Sequence, residues 1–375
     1  MRIAYITRYL DNVILRGGVG RKIDSQMRYW QMRDHEVRLF VLSPDKLSSE
    51  NSSVFQYKAA TNLPVLQDLS RTISRSTALL NLIDSVRNYH PDLIYMRFGR
   101  YIYPFHRLNK LSPIILELNT NDVSEDRQLG WIIYWFNRLT RGLMLNKAAG
   151  FIAVSQEIAE LSDNKKYNKP VRVIGNGIDL EQYPLLPSPN HDRPVITIIG
   201  SPGMIWHGVD KLICLAKKYN DLMINIVGYQ PSDFKEDMPP NVHIHGFLDR
   251  TGVMEVLINT DVACGSLALH RKNMQEASPL KVREALAYGI PVLLGYKDTD
   301  LLNLKSECIL QIPNTEDNVA MHAEQIRSFA YSMMGKRLSR DTIANRIDQR
   351  PKEEIRLAFF NEIKKNHEVK FNQYG

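Results

Sequence analysis

The feature that most limits the possible folds is an alternation that runs twice along the chain. Short apolar segments at Ile3–Thr7, Val37–Leu42, Asp92–Tyr95, Ile114–Leu118, Gly150–Val154 and Val171–Ile174 alternate with stretches of helical character. The scheme then restarts with Val195–Ile199, Met223–Val227, Val242–His245, Asp261–Cys264, Val292–Leu294 and Ile309–Ile312. Such alternation argues for parallel sheets with helices on both faces. Between the two runs, Pro184, Pro187, Pro189 and Pro194, with Ser188, Asn190 and Asp192, read as a linker. A chain of 375 residues also exceeds one ordinary core. The expected class is α/β, with two Rossmann-like, doubly wound domains, residues 1–188 and 189–352, facing a central cleft, and a helical tail, 353–375. In open α/β sheets ligands sit beyond the carboxyl ends of the strands, so function is expected there.

Composition removes several alternatives. With 44% hydrophobic and 24% charged residues the chain is globular rather than disordered. Cys214, Cys264 and Cys308 form no CxxC pair, which argues against a disulfide framework or a zinc site and for a reducing cytoplasm. The chain enters an apolar strand at Ile3 without a signal-peptide pattern, and no run approaches the roughly 18 apolar residues that span a bilayer. The net charge of +7 lies entirely in the first half: residues 1–190 hold 25 basic and 18 acidic side chains, the rest 23 of each. A basic half suits a phosphorylated substrate or anionic lipid. Nucleic acid is not expected, because the arginines are scattered and no binding motif accompanies them.

The densest chemistry lies in Glu276–Leu294, EASPLKVREALAYGIPVLL. Ser278 reads as a helix N-cap, Pro279 as the first helical residue, and Gly289 with Pro291 as the stop, giving a helix of about ten residues. The N–H groups near Leu280 and Lys281 and the positive dipole end suit a phosphate, and Lys281 adds a cation. Glu276 and Glu284 bracket that point, placed to accept hydrogen bonds from sugar hydroxyls on either side.

Glu276, seven residues, Glu284, then Ala287-Tyr288-Gly289-Ile290-Pro291-Val292, resembles the signature of retaining nucleotide-sugar glycosyltransferases of the B-type (GT-B) fold, family four, and Ser278-Pro279-Leu280-Lys281 resembles a subgroup of it. The resemblance implies sugar transfer from a nucleoside-diphosphate-sugar to a glycan or lipid-linked acceptor hydroxyl, without metal or further cofactor. It places Glu276 on the donor sugar, Glu284 on the ribose, and Gly17 and Gly18 of Arg16-Gly17-Gly18-Val19-Gly20-Arg21-Lys22 before the diphosphate. The strand ends at Gly228 and at Gly246-Phe247 would frame the base. Gly175-Asn176-Gly177-Ile178-Asp179 is similar to a turn near the family's hinge, and the last helix of the fold is expected to return to the first domain.

Two departures stand out. Many family members carry a His near the position of Asn119, and an Arg and a Lys in the loop Gly200–Gly208, where this chain offers His207. Lys281, Arg271 and Lys272, and after them Lys211, are the candidates for the missing charge. Glu117 and Asn119 are expected at a strand end, and Tyr95–Tyr101 on the acceptor side.

Trp131, Trp135 and Leu139, with Arg138 and Arg141, share a helical spacing that suits core packing first and an interfacial helix on anionic lipid second. His243 and His245 share a strand face but lack a third metal ligand. Asp298-Thr299-Asp300 imitates a metal-binding DxD and is read as a capped surface turn. Two rival functions are a nucleotide-sugar epimerase and a catalytically silent nucleotide-binding homologue.

Overall fold

The computed structural model describes residues 1–8, 17–47, 52–58, 64–302, 304 and 306–374. The chain packs as two units, Met1–Ile174 together with Arg350–Gly375, and Gly175–Gln349. The division therefore falls at Ile174/Gly175 rather than near residue 188. The reason is that the proline-rich segment is packed into the second unit: Leu186 is buried and donates its N–H to Tyr288, and Tyr183 stacks edge-on against the Tyr288 ring at 5.1 Å.

In the first unit β1 (Arg2–Arg8), β2 (Glu36–Ser43), β3 (Ser52–Gln56), β4 (Leu93–Arg97), β5 (Ile114–Leu118), β6 (Gly150–Ala153) and β7 (Val171–Val173) form one parallel sheet in the order β3-β2-β1-β4-β5-β6-β7. Strand β3 was not legible in advance; SSVFQ is polar and half-exposed along its whole length, as an edge strand tolerates. Helix α1 (Gly18–Met32) follows β1, and α2 (Pro64–Tyr89) lies between β3 and β4. The short helices α3 (Asp122–Leu129), α4 (Trp131–Thr140) and α5 (Gly142–Leu145) separate β5 from β6. The C-terminal helix Gln349–Tyr374 buries Phe359, Phe360 and Ile363 on this sheet, and the Phe359 ring lies 2.9 Å from where a side chain on Gly150 would begin. Trp30, Tyr5, Tyr95 and Phe360 form an aromatic centre with ring separations of 5.0–5.7 Å. Burying each such ring stabilises the unit by roughly 1.5–3 kcal/mol.

The second unit repeats the plan. Strands β8 (Val195–Ile199), β9 (Met223–Val227), β10 (Val242–Ile244), β11 (Val262–Cys264), β13 (Val292–Leu294) and β15 (Ile309–Gln311) form a parallel sheet ordered β10-β9-β8-β11-β13-β15, beside a two-stranded ladder of β12 (Glu276–Ala277) and β14 (Lys297–Asp298). Helices α6 (Gln156–Glu160) and α7 (Ser162–Lys165) lie between β6 and β7 in the first unit, while α8 (Val209–Lys218), α9 (Arg250–Ile258) and α10 (Leu280–Ala287) belong to the second. In both sheets the strand order reverses beside the first strand, at β1/β4 and β8/β11. Ligands of doubly wound sheets bind outside the carboxyl ends at that switch.

Candidate active site

At the β8/β11 switch the chain leaves β8 through Gly200. A Cβ there would begin 2.6 Å from His207 Nδ1, so only glycine leaves room for that ring. Gly208, at φ 73°, turns the chain into α8, and a side chain on it would meet Leu267 at 2.9 Å. His207 Nδ1 accepts from the Ser201 N–H at 3.3 Å and lies 3.2 Å from the Tyr229 hydroxyl. The neutral ring therefore carries its proton on Nε2. Burial, with Lys281 and Lys272 nearby, pulls the His207 pKa down to about 2, so at neutral pH it is a hydrogen-bond donor and not a cation.

Helix α10 runs toward this point. Its N-cap is Pro279, in extended conformation with no side-chain cap, which corrects the expected roles of Ser278 as cap and Pro279 as first helical residue, and leaves eight residues rather than about ten. The N–H groups of Leu280 and Lys281 precede the first helical bonds, which Val282 and Arg283 make to the Pro279 carbonyl. At the far end Gly289, at φ 81°, donates to Leu286 and Ile290 to Ala285, the paired bonds of a Schellman stop.

Ser278 is instead the centre of a buried clamp. Its hydroxyl accepts from the Asn176 N–H at 2.7 Å and from Arg283 at 2.8 Å. Arg283 is fully buried and reaches both oxygens of Asp298 at 2.7 and 2.8 Å, Asp300 at 2.6 Å and the Asn176 carbonyl at 3.0 Å. Asp298-Thr299-Asp300 is thus not a surface turn; both carboxylates hold one guanidinium. The clamp pins the Asn176-Gly177 turn and the β12–β14 ladder around the start of α10. Arg283 was missed in the sequence, although a cation on the core side of an apolar helix demands a buried acid, and the two aspartates after β13 were there to supply it.

Lys281 donates to the Ile199 carbonyl at the end of β8 at 2.9 Å. Burial lowers its pKa to about 8, only weakly opposed by Cys264, whose own thiol burial raises to about 12. Of the other charge candidates, Arg271 is already paired with Asp210 at 2.7 Å and with Glu316, which removes it as a free counter-charge. Lys211 is a buried strut on the carbonyls of Leu267 and Thr315 and on Asn318. Lys272 lies over the Trp206 ring at 4.7 Å, beside the His207 loop.

Glu276 stands half-buried in β12, and Glu284, one turn into α10, accepts from the Tyr183 hydroxyl at 3.2 Å. A small pocket beside Glu284 is lined by Thr197, Ile199, Cys264 and Lys281. Gly228, at φ 89°, and Gly246, at φ 70°, bring the ends of β9 and β10 together through the Gly228 N–H to Gly246 carbonyl bond of 2.7 Å. A Cβ on Gly228 would lie 2.2 Å from the Gly200 carbonyl. Phe247, just beyond, exposes 65% of its surface, and His245 bonds Asn225 on the neighbouring strand at 2.9 Å.

In the first unit Gly17 is the N-cap of α1 and Gly18 its first residue, while Arg16 lies outside the described residues. Asn119 turns its amide back onto the Glu117 carbonyl at 3.2 Å. Glu117 is fully buried, held by Lys22 at 2.7 Å, Arg97 at 3.7 Å and the Tyr95 hydroxyl, so it is an internal counter-charge rather than a ligand group. Of Tyr95–Tyr101, Tyr95, Met96 and Tyr101 are buried, while Arg97, Phe98, Gly99 and Arg100 are half-buried and Arg100 pairs with Asp126 at 2.6 Å.

Residues 16–182 match the protein-family model Glycosyltransferase Family 4. No curated protein sequence matches the chain. Among solved structures, sucrose-phosphate synthase from Thermosynechococcus elongatus is similar with a TM-score of 0.71 at 14% identity, over 96% of this chain and 98% of that one. The lipopolysaccharide outer core galactosyltransferase WaaB gives 0.61 at 13%, over 96% and 100%. An α-glucosyltransferase in complex with UDP-glucose and DNA containing an abasic site gives 0.62 at 11%, over 96% and 99%. The fold is that of GT-B glycosyltransferases, two α/β domains with parallel sheets, and with the family match it supports a family-4-like glycosyltransferase.

Proposed function

We propose that the chain is a retaining glycosyltransferase that moves a sugar from a nucleoside-diphosphate-sugar to a hydroxyl of a glycan or lipid-linked precursor, in bacterial surface polysaccharide synthesis at the cytoplasmic side. The observation that carries this reading is the convergence at the β8/β11 switch of the α10 start, the Lys281 ammonium and the Nε2–H donor of His207, with Glu276 and Glu284 beside them. Together they stabilise negative charge developing on a departing diphosphate, the preorganised electrostatic contribution that usually dominates. The C1–oxygen bond to the diphosphate breaks, the acceptor oxygen bonds C1 on the same face, and the acceptor proton passes to the leaving phosphate oxygen. No enzyme nucleophile or metal takes part in this scheme. Glu276 accepts from the donor sugar's hydroxyls and Glu284 from the ribose.

UDP-sugars lead the donor panel, since a neighbour of this fold carries UDP-glucose. That neighbour also meets DNA, but here Arg97, Arg100, Arg138 and Arg141 are taken up by Glu117, Asp126, Asp163 and Asp122, which favours a carbohydrate acceptor. The test is release of nucleoside diphosphate from each donor with and without acceptor, in chelator, comparing the parent with Glu276→Ala. Turnover that survives chelator and collapses in the variant supports the reading. Nucleotide binding without any turnover would favour the silent homologue, which the neutral His207 makes the second reading, and product formed without acceptor would favour an epimerase.

A further inference from the structure

Helix α4 turns its apolar side to water. Trp131 is 74% exposed, Ile132 66%, Trp135 53% and Leu139 78%, and Leu129, Phe136 and Leu143 extend the stripe to the ends of α3 and α5. The buried residue of α4 is Asn137, whose amide is held by Asp122 at 2.7 Å. The core-packing expectation for this helix is thereby overturned, since the stripe faces away from the unit it belongs to. A contiguous patch of this kind marks an interaction site.

The charges around the stripe identify what covers it. Neither α4 nor α5 carries an acidic residue. The acids beside the stripe are all engaged: Asp122 pairs with Arg141 at 2.8 Å, Asp126 with Arg100 at 2.6 Å and Asp163 of α7 with Arg138, and Glu125 accepts from Thr120 at 2.5 Å. Arg127 beside Leu129, Lys147 after α5, and Arg107 and Lys110 on the turn Phe105–Lys110 that packs against α5 are all exposed cations. A second copy laid face to face on this patch would set these cations against themselves, because an isologous contact presents one surface twice. Anionic headgroups neutralise them. Among the described residues no helix is long and apolar enough to cross a membrane.

We propose that this face docks on an anionic bilayer, with α4 lying in the interface plane and Trp131, Trp135 and Leu139 at the boundary between headgroups and acyl chains. The inference stands on this surface alone and holds whatever the acceptor.

The full chain is floated with vesicles of phosphatidylcholine, alone or mixed with phosphatidylglycerol, in the absence of donor. Co-flotation is expected with the anionic vesicles and a loss of it at high salt. The triple variant W131S/W135S/L139S should partition at least about tenfold less, with unchanged melting and donor hydrolysis, because these side chains are exposed. The pair R127Q/K147Q should lose about fivefold per cation removed. Brominated lipid should quench the parent's tryptophan fluorescence and leave the triple variant's unquenched. The inference is overturned if the parent does not float, if the triple variant floats equally, or if sedimentation shows a dimer that the triple variant abolishes. Donor turnover is scored separately on a soluble acceptor, so lost flotation with intact turnover removes this inference and leaves the transferase reading in place.

Discussion

The two units share a strand order and fill its switch point in opposite ways. Beside β1, β4 and β5 the first unit completes a buried network: Lys22 and Arg97 on Glu117, Tyr95 between Glu117 and Arg356, and Arg356 on Glu353, which also accepts from Trp30 at 2.8 Å and Gln26 at 3.0 Å. Burial alone would raise the Glu117 pKa, but Lys22, Arg97 and Arg356 outweigh it and hold the carboxyl well below its usual range. Beside β8 and β11 the second unit leaves a lysine on a carbonyl, a neutral histidine and the start of a helix. One topology thus serves as a sealed internal tie and, in its second use, as a polarised pocket. The charges placed at the switch decide which.

The comparison breaks hardest at Glu117. Its replacement by Ala strands Lys22 and Arg97 without their acid, and should destabilise the first unit by about 3–5 kcal/mol. Denaturant unfolding followed by tryptophan fluorescence reads this, and a loss below about 1 kcal/mol would refute the internal-tie assignment. Lys281→Met makes the opposite case. Turnover should fall about 10²–10³-fold, as for loss of one preorganised donor, in a donor-turnover assay. Stability should hold or rise: the folded pKa of about 8 lies below the ordinary 10.5, so the charged lysine costs stability below pH 8, and that cost fades as pH rises through this window. Melting below the parent at pH 7 would contradict the pocket assignment.

A smaller change is expected from Glu284→Ala. Losing one carboxylate acceptor should weaken donor binding about tenfold to a hundredfold by calorimetry, with little effect on melting. An unchanged affinity would move the ribose elsewhere. The finest test is pH: affinity for the nucleoside-diphosphate-sugar, whose phosphates carry no group that titrates in this range, should be flat below pH 8 and fall by at most about tenfold per unit above it as Lys281 loses its proton, with no inflection near 6.5 because His207 is already neutral. An inflection near 6.5 would mean that His207 carries charge in solution.

Much of this was readable in advance because it depends on local pattern. Apolar strands of period-independent burial, such as IILEL, need only their own side chains to be recognised, and the Gly289 stop and the Glu276/Glu284 spacing are short-range features. Edge strand β3 escaped because its residues obey no burial pattern, and the cap at Pro279 because the Ser278 hydroxyl was taken by Arg283 and Asn176, partners 5 and 102 residues away.

By itself the sequence determined two parallel α/β sheets, a helix starting close to Pro279, and the acids that bracket that start, since periodicity and spacing act within a few residues. Only the tertiary structure decided which charges are spent and which remain. Arg271 and Glu117 look available in a linear reading and are consumed by acids and cations far along the chain, whereas the Trp131–Leu139 stripe looks like core and meets water. Electrostatic pairing and burial are set by proximity in space, and proximity is what the order of residues does not contain.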